Sequence, residues 1–192
     1  KTIMYHNTAD EPEYPRTRHV EFVVYDATFA SIPAVSQITI HSINDLPRLN
    51  LDVIANDASK SSTIAYTEGD GAVSIVPNTD IEEDDDTHLE EAVIVLTNHP
   101  DEAEEYLTVD LSGTAITQSG TKHSITLVGP DTVENFIKVL STVAYQNDKA
   151  YPGNPDTALR TVTVTVNDGD GDSNVRSAYI SFAGVNNRPM ID

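Results

Sequence analysis

Apolar and polar positions alternate through much of this chain. Residues 160–167 read RTVTVTVN, which places Val162, Val164 and Val166 on one face and Thr161, Thr163 and Thr165 on the other. A period of two marks a strand with one buried face. Alternating or β-branched runs predict further strands over 19–26, 36–43, 72–76, 92–97, 106–111, 123–128, 142–146 and 177–185. Gly, Pro, Asn and Asp separate these runs, as turns require. One segment changes period. Val133, Phe136, Ile137 and Leu140 recur at helical spacing, Asp131 or Thr132 stands where a cap is needed, and Glu134 falls in the first turn. A short amphipathic helix is predicted over 132–140, laid across the strands. The expected fold class is all-β, a Greek-key β-sandwich with one short helix insertion.

The pattern also repeats. Residues 18–26 read RHVEFVVYD and residues 160–168 read RTVTVTVND. Asp168 follows Asp26 by 142 positions, and Asn186 follows Asn44 by the same 142. Each Asn opens a short motif, NDLP at 44–47 and NNRP at 186–189. Upstream, Tyr5-His6-Asn7 matches Tyr145-Gln146-Asn147, with two extra residues before the second Arg. Residues 1–47 therefore read as the C-terminal third of one repeat, and residues 48–192 as one complete repeat. A repeat lacking its first strands exposes strand edges and half a core, so an upstream segment or a neighbouring chain is expected to complete it.

Composition narrows the classes. Hydrophobic residues are 39% of the 192 and charged residues 22%, which suits a folded chain. No apolar run is long enough to cross a membrane as a helix. The opening residues KTIMYHNTADEPEYP carry no signal-peptide core, so any signal or anchor is expected outside this segment. Acidic residues outnumber basic ones 31 to 11, for a net charge of −20. That balance argues against nucleic acid and against anionic lipid. Crowded carboxylates repel one another, and a bound cation relieves the repulsion. Solubility alone explains the charge equally well until its placement is considered. There is no cysteine, hence no disulfide or thiolate chemistry, and no N-x-Ser/Thr sequon.

Placement brings in a family. The NDLP motif follows a predicted strand and precedes a new repeat, and it resembles the linker between cadherin repeats. Three further features are similar to that family. Glu68, in Tyr66-Thr67-Glu68-Gly69, looks like the first-strand glutamate that faces the next linker. Asp84 and Asp86 form an Asp-x-Asp pair at the corresponding place, and Asp168 resembles a third acidic ligand. The stretch from Leu127 to Asn147 resembles the cadherin-like repeats of large surface and matrix adhesion proteins. The resemblance implies a cadherin/immunoglobulin-like sandwich with Ca2+ at the inter-repeat junctions. Asn44, Asp45, Asp84, Asp86 and Asp168 would converge at the upper junction, with Glu68, Asn186 and Asn187 directed to the lower one. Calcium takes about six to eight oxygens, mostly carboxylates and carbonyls, which suits these residue types. The chain departs from the family pattern in three ways. The period of 142 is long, no Asp-Arg-Glu motif occurs, and Asn187 stands where the linker's Asp is expected. The last departure predicts weaker calcium at the lower junction.

The other clusters are weighed on their own chemistry. Taken alone, IEEDDD at 81–86 reads more readily as a solvated acidic loop than as a ligand set, and the NDLP linker in register turns the balance to calcium at Asp84 and Asp86. Within it, Glu82, Glu83 and Asp85 are less favoured as ligands than Asp84 and Asp86. Asp168, Asp170 and Asp172 copy the first three ligands of a helix-loop-helix calcium loop. Ser173 and Tyr179 then stand where Gly and Glu are needed, so Asp170 and Asp172 read as turn residues. DEAEE at 101–105 reads as a charged loop. The six histidines show no zinc spacing, and no nucleophile elbow or phosphate loop occurs. The expectation is a non-enzymatic, calcium-binding adhesion or spacer module of a long extracellular or cell-surface protein. Its partners would be adjacent repeats of the same protein and possible homophilic chains, with no nucleic acid and no membrane insertion. The alternative is a subunit of an extracellular filament, in which a neighbouring chain completes the first repeat. A carbohydrate-binding segment is a third, weaker reading.

Overall fold

The computed structural model describes residues 2–9, 17–41, 43–55, 59–149, 154–186 and 188. They are mostly β, in several sheets, with one α-helix among them. The chain divides into two units, Lys1–Asp45 and Leu46–Asp192.

The first unit contains an antiparallel hairpin of β1 (Thr17–Phe22) and β2 (Ala34–Thr39). Its pairing runs from Thr17 opposite Thr39 to Phe22 opposite Ala34. The alternating pattern continues to residue 26, but the strand ends at Phe22. Asp26 explains the early end. Its Oδ1 accepts the backbone N–H groups of Thr28 and Phe29, both at 2.7 Å, and this Asx-type turn bends the chain.

The second unit holds β3 (Arg48–Asn50), β4 (Ser62–Thr67), β5 (Val73–Ser74), β6 (Asp80–Glu82) and β7 (His88–Leu96). After them come β8 (Glu105–Thr108), β9 (Thr117–Gly120), β10 (Ser124–Thr132), the helix α1 (Val133–Leu140), β11 (Ala144–Asn147), β12 (Arg160–Asn167) and β13 (Arg176–Ala183). A six-stranded sheet takes the order β4-β13-β12-β7-β10-β9, a three-stranded one β5-β11-β8, and β3 pairs β6. Neighbours are antiparallel except β13 and β4, which run parallel.

Alternation decides what is buried. Val162, Val164 and Val166 of β12 join Ile94 and Leu96 of β7, Ile125 and Leu127 of β10, and Ile180 and Phe182 of β13 in one core. Leu107 of β8 and Tyr145 of β11 close it from the smaller sheet. The Tyr66 ring meets Tyr145 edge-on at 5.0 Å and Phe182 at 5.1 Å, joining the sheets through aromatic contact. Helix α1 is capped by Thr132, whose side chain accepts the Asn135 N–H. Phe136, Val139 and Leu140 are buried, while Val133 and Ile137 pack more loosely beside them.

Four strands escape the sequence pattern: β3, β4, β6 and β9. Two are only three residues long, and β9 (TQSG) is exposed throughout with no apolar side to bury. Residues 101–105 differ more sharply from expectation. Glu102 and Glu104 are exposed, but Asp101 and Glu105 are buried. They face Arg160, whose Nη2 donates to Asp101 Oδ2 at 2.9 Å and to Glu105 Oε1 at 2.6 Å. A cation from a distant strand lets two carboxylates leave water.

Candidate metal centre

Strand β6 ends at Glu82 and a short acidic loop carries the chain to β7. This loop lies by the end of β12, where Asn167 pairs with Glu91. Glu83, Asp86 and Asp168 meet there, with ligand-type oxygens all within 4.8 Å of one another. No other group of three His, Cys, Asp or Glu is so placed among the described residues.

Each acid is held by local geometry. Asp168 is buried at the head of the β12–β13 turn, and its Oδ1 accepts the N–H groups of Asp170 and Gly171, both at 2.8 Å. Gly169 takes a φ of +106° in this turn, a conformation that costs glycine little. Gly171 leaves room for the Leu46 side chain, which would clash with a Cβ there. Glu83 is half-buried. Its Oε1 accepts the N–H groups of Asp85 and Asp86 at 3.2 and 3.3 Å, while Oε2 is buried without a hydrogen bond. Burial pushes the Glu83 carboxyl above its ordinary value, two backbone N–H groups oppose the rise, and the nearby Asp168 and Asp86 charges add to it. Asp86 is exposed and supplies a solvent-facing carboxylate.

Three carboxylates, one of them (Glu83) with an oxygen that has no hydrogen-bond donor, form an oxygen-only set suited to a hard divalent cation. Such a cation would draw its remaining ligands from water or backbone oxygens. The cation would compensate a Glu83 charge disfavoured chiefly by burial and further by the Asp168 and Asp86 charges.

The sequence-derived ligands are distributed as follows. Asp86 and Asp168 come together, with Glu83 as the third member. Asp84 is exposed and lies outside this group. Asn44 and Asp45 are exposed at the end of the first unit, where Asn44 Nδ2 donates to the Asp45 carbonyl at 3.2 Å. Glu68 follows β4, and its Oε2 accepts the Val185 N–H at 2.8 Å. The strand directions put Glu68 and Val185 at the opposite end of the β12–β13 hairpin from Asp168. Asn186 is exposed, and Asn187 lies outside the described residues. Asp172 Oδ1 accepts the Asn167 side-chain N–H at 2.7 Å, the geometry of a turn residue.

Glu83 was hard to single out because five acids follow Ile81 in succession, and only the path of the loop selects among them. Two histidines also meet without any signal in their spacing. The rings of His99 and His123 stack at 3.8 Å, and His123 Nε2 lies 3.0 and 2.8 Å from the carbonyls of Glu102 and Glu105.

No protein-family profile matches this chain, and no curated protein matches it in sequence. Among the described residues, no helix is long and apolar enough to cross a membrane.

Proposed function

We propose that this chain is a calcium-binding spacer module of an extracellular repeat protein, with the cation held at the end of the β12–β13 hairpin. The observation that carries the reading is the approach of Glu83, Asp86 and Asp168 within 4.8 Å, with Glu83 Oε2 buried and without a hydrogen bond. A non-enzymatic, Greek-key, cadherin-like module is the finer form of the proposal. It is supported by the NDLP motif, the 142-residue repeat and the presence of Asp86 and Asp168 in the cluster, which Asp84 does not join. In such a module the ion stiffens the loop between β6 and β7 against the β12–β13 turn.

The test is thermal unfolding with calcium and with a chelator. Ligand that binds only the folded state raises the midpoint by mass action. Millimolar calcium is expected to raise it, and Asp86→Asn or Asp168→Asn to abolish most of the rise. Asp168→Asn keeps an oxygen for the turn while removing the charge. An unchanged midpoint in calcium would sink the proposal.

A further inference from the structure

Strand β9 forms one edge of the six-stranded sheet and, among the described residues, pairs with β10 on one side alone. The register fixes which way its backbone groups point. Thr121 and Ser124 exchange both backbone bonds, at 2.7 and 3.3 Å, and close the turn between the two strands. Bonded positions alternate along an antiparallel pair, so Ser119 and Thr117 turn their N–H and C=O groups to Thr126 and Val128. The Leu96 N–H bond to the His123 carbonyl gives the same sense, because it turns the odd positions of β10 to β7 and the even ones to β9. Gln118, between Thr117 and Ser119, therefore turns its N–H and C=O out of the sheet. All four residues of β9 are exposed.

Sheet edges are normally guarded by charge, by proline or by a covering segment. Strand β9, with the sequence TQSG, has none of these guards. No charged residue lies between Asp110 and Lys122, although the chain holds 31 acids and a net charge of −20. The outer face beside the edge is uncharged as well. Thr117 and Ser119 continue into Val128 and Thr126 on β10, and Thr126 and Ser124 continue into Val93 and Val95 on β7. The opposite edge of the sheet differs. There the Thr67 N–H at the end of β4 is already taken by Asp70 Oδ2 at 2.7 Å.

We propose that β9 pairs with β9 of a second copy of this chain, antiparallel about a two-fold axis, and so joins two six-stranded sheets edge to edge. Gln118 of one copy lies opposite Gln118 of the other, and Thr117 lies opposite Ser119. The outward N–H and C=O of each Gln118 then bond across the axis. Each copy contributes a strand whose outer side is open in the folded state, so no existing pairing is broken to make the contact.

Charge selects this occupant. Two chains at −20 repel each other, and they meet without opposed carboxylates where residues 111–121 are uncharged on both sides. A basic strand from another protein would find its attraction at the acidic loops and none at β9. The two-fold axis makes every bond twice, which suits an edge paired with itself. Four residues a side make a small contact, of the transient class. The proposal is independent of the calcium reading.

The test uses the full chain in chelator, with sedimentation and amide hydrogen exchange at micromolar and at millimolar concentration. The chain is expected to pass from monomer to dimer. Exchange at the Gln118 amide is expected to slow roughly tenfold or more as it gains a partner. The Ser119 amide, already bonded within the sheet, should not change. Gln118→Pro removes the outward N–H without touching a bond to β10, since proline is tolerated where the N–H of an edge strand faces solvent. It is expected to abolish the dimer. Gln118→Lys keeps the N–H but sets like charges directly opposite each other, and it is expected to weaken the dimer; it decides the matter if the proline variant does not fold. A monomer at millimolar concentration would overturn the proposal. So would a dimer that the substitutions at Gln118 leave unchanged, or slowed exchange in β1 and β2 without any at Gln118.

Discussion

Arg160 donates to Glu105 Oε1 at 2.6 Å with both side chains fully out of water. The same guanidinium reaches Asp101 and lies over the Phe182 ring, 4.6 Å from its centre. Burial disfavours the Arg160 charge, but Glu105 and Tyr145 outweigh it and hold the group above its ordinary value. Removing one member of a buried pair leaves the other uncompensated. Arg160→Met is expected to cost about 3–5 kcal/mol. Adding Glu105→Leu should recover part of that loss. Urea unfolding of the single and double variants checks this, and a loss near zero for Arg160→Met would refute it.

Glu83 predicts a pH signature in chelator. Its folded pKa is raised above 4.5, chiefly by burial. The unfolded carboxyl therefore ionises first, and stability present below pH 4.5 is lost as pH rises through the folded value. Glu83→Gln lacks this loss. Without metal it should be more stable than the parent at neutral pH and equal to it in acid, while responding less to calcium. Melting curves of both proteins across pH, with and without calcium, check the sign.

Asp131 acts in the opposite sense. Its carboxylate accepts from the Asn135 side chain at 2.7 Å, the Ala115 N–H at 2.7 Å and the Thr132 N–H at 2.8 Å. These bonds, the Asn135 one foremost, hold its pKa below the ordinary 3.8. Its contribution is present above 3.8 and is lost as pH falls through the lowered folded value. Asp131→Asn should flatten that part of the acid unfolding curve, followed by circular dichroism.

Gly120 ends β9 with a φ of +97°, and a Cβ there would collide with the Ser124 carbonyl that accepts the Thr121 N–H. Gly120→Ala is expected to cost at least roughly 1–2 kcal/mol from the left-handed backbone alone. Urea unfolding measures it. An unchanged midpoint would show that the turn refolds around the methyl group.

Phe136 is the largest buried side chain of α1. Phe136→Ala should cost about 3–5 kcal/mol, because the surrounding strands cannot close the cavity. Calorimetry of the variant tests this. A loss below about 1 kcal/mol would mean that the helix rides loosely on the sheet.

Much of the local structure was legible in order of residues. The period of two in RTVTVTVN places Val162, Val164 and Val166 in the core, because side chains on a strand alternate between faces whatever surrounds them. The helical spacing of Phe136 and Leu140 and the Thr132 cap were legible for the same reason. So was the 142-residue repeat, which reappears as identical hairpin registers. These are properties of adjacent residues, and adjacency is what a sequence records.

Tertiary structure alone decided the rest. Strands β3, β6 and β9 are too short or too polar to carry a periodic signal, and hydrogen bonding to neighbours creates them. Asp101 and Glu105 read as a charged loop until Arg160, more than fifty residues away, arrives from β12. Among the acids of 81–86, the crossing of the β6–β7 loop over the end of β12 brings Glu83 and Asp86 to Asp168 and leaves Asp84 in solvent. Charge density can be counted along a chain, but which carboxylates share one ion-sized space depends on where distant strands end.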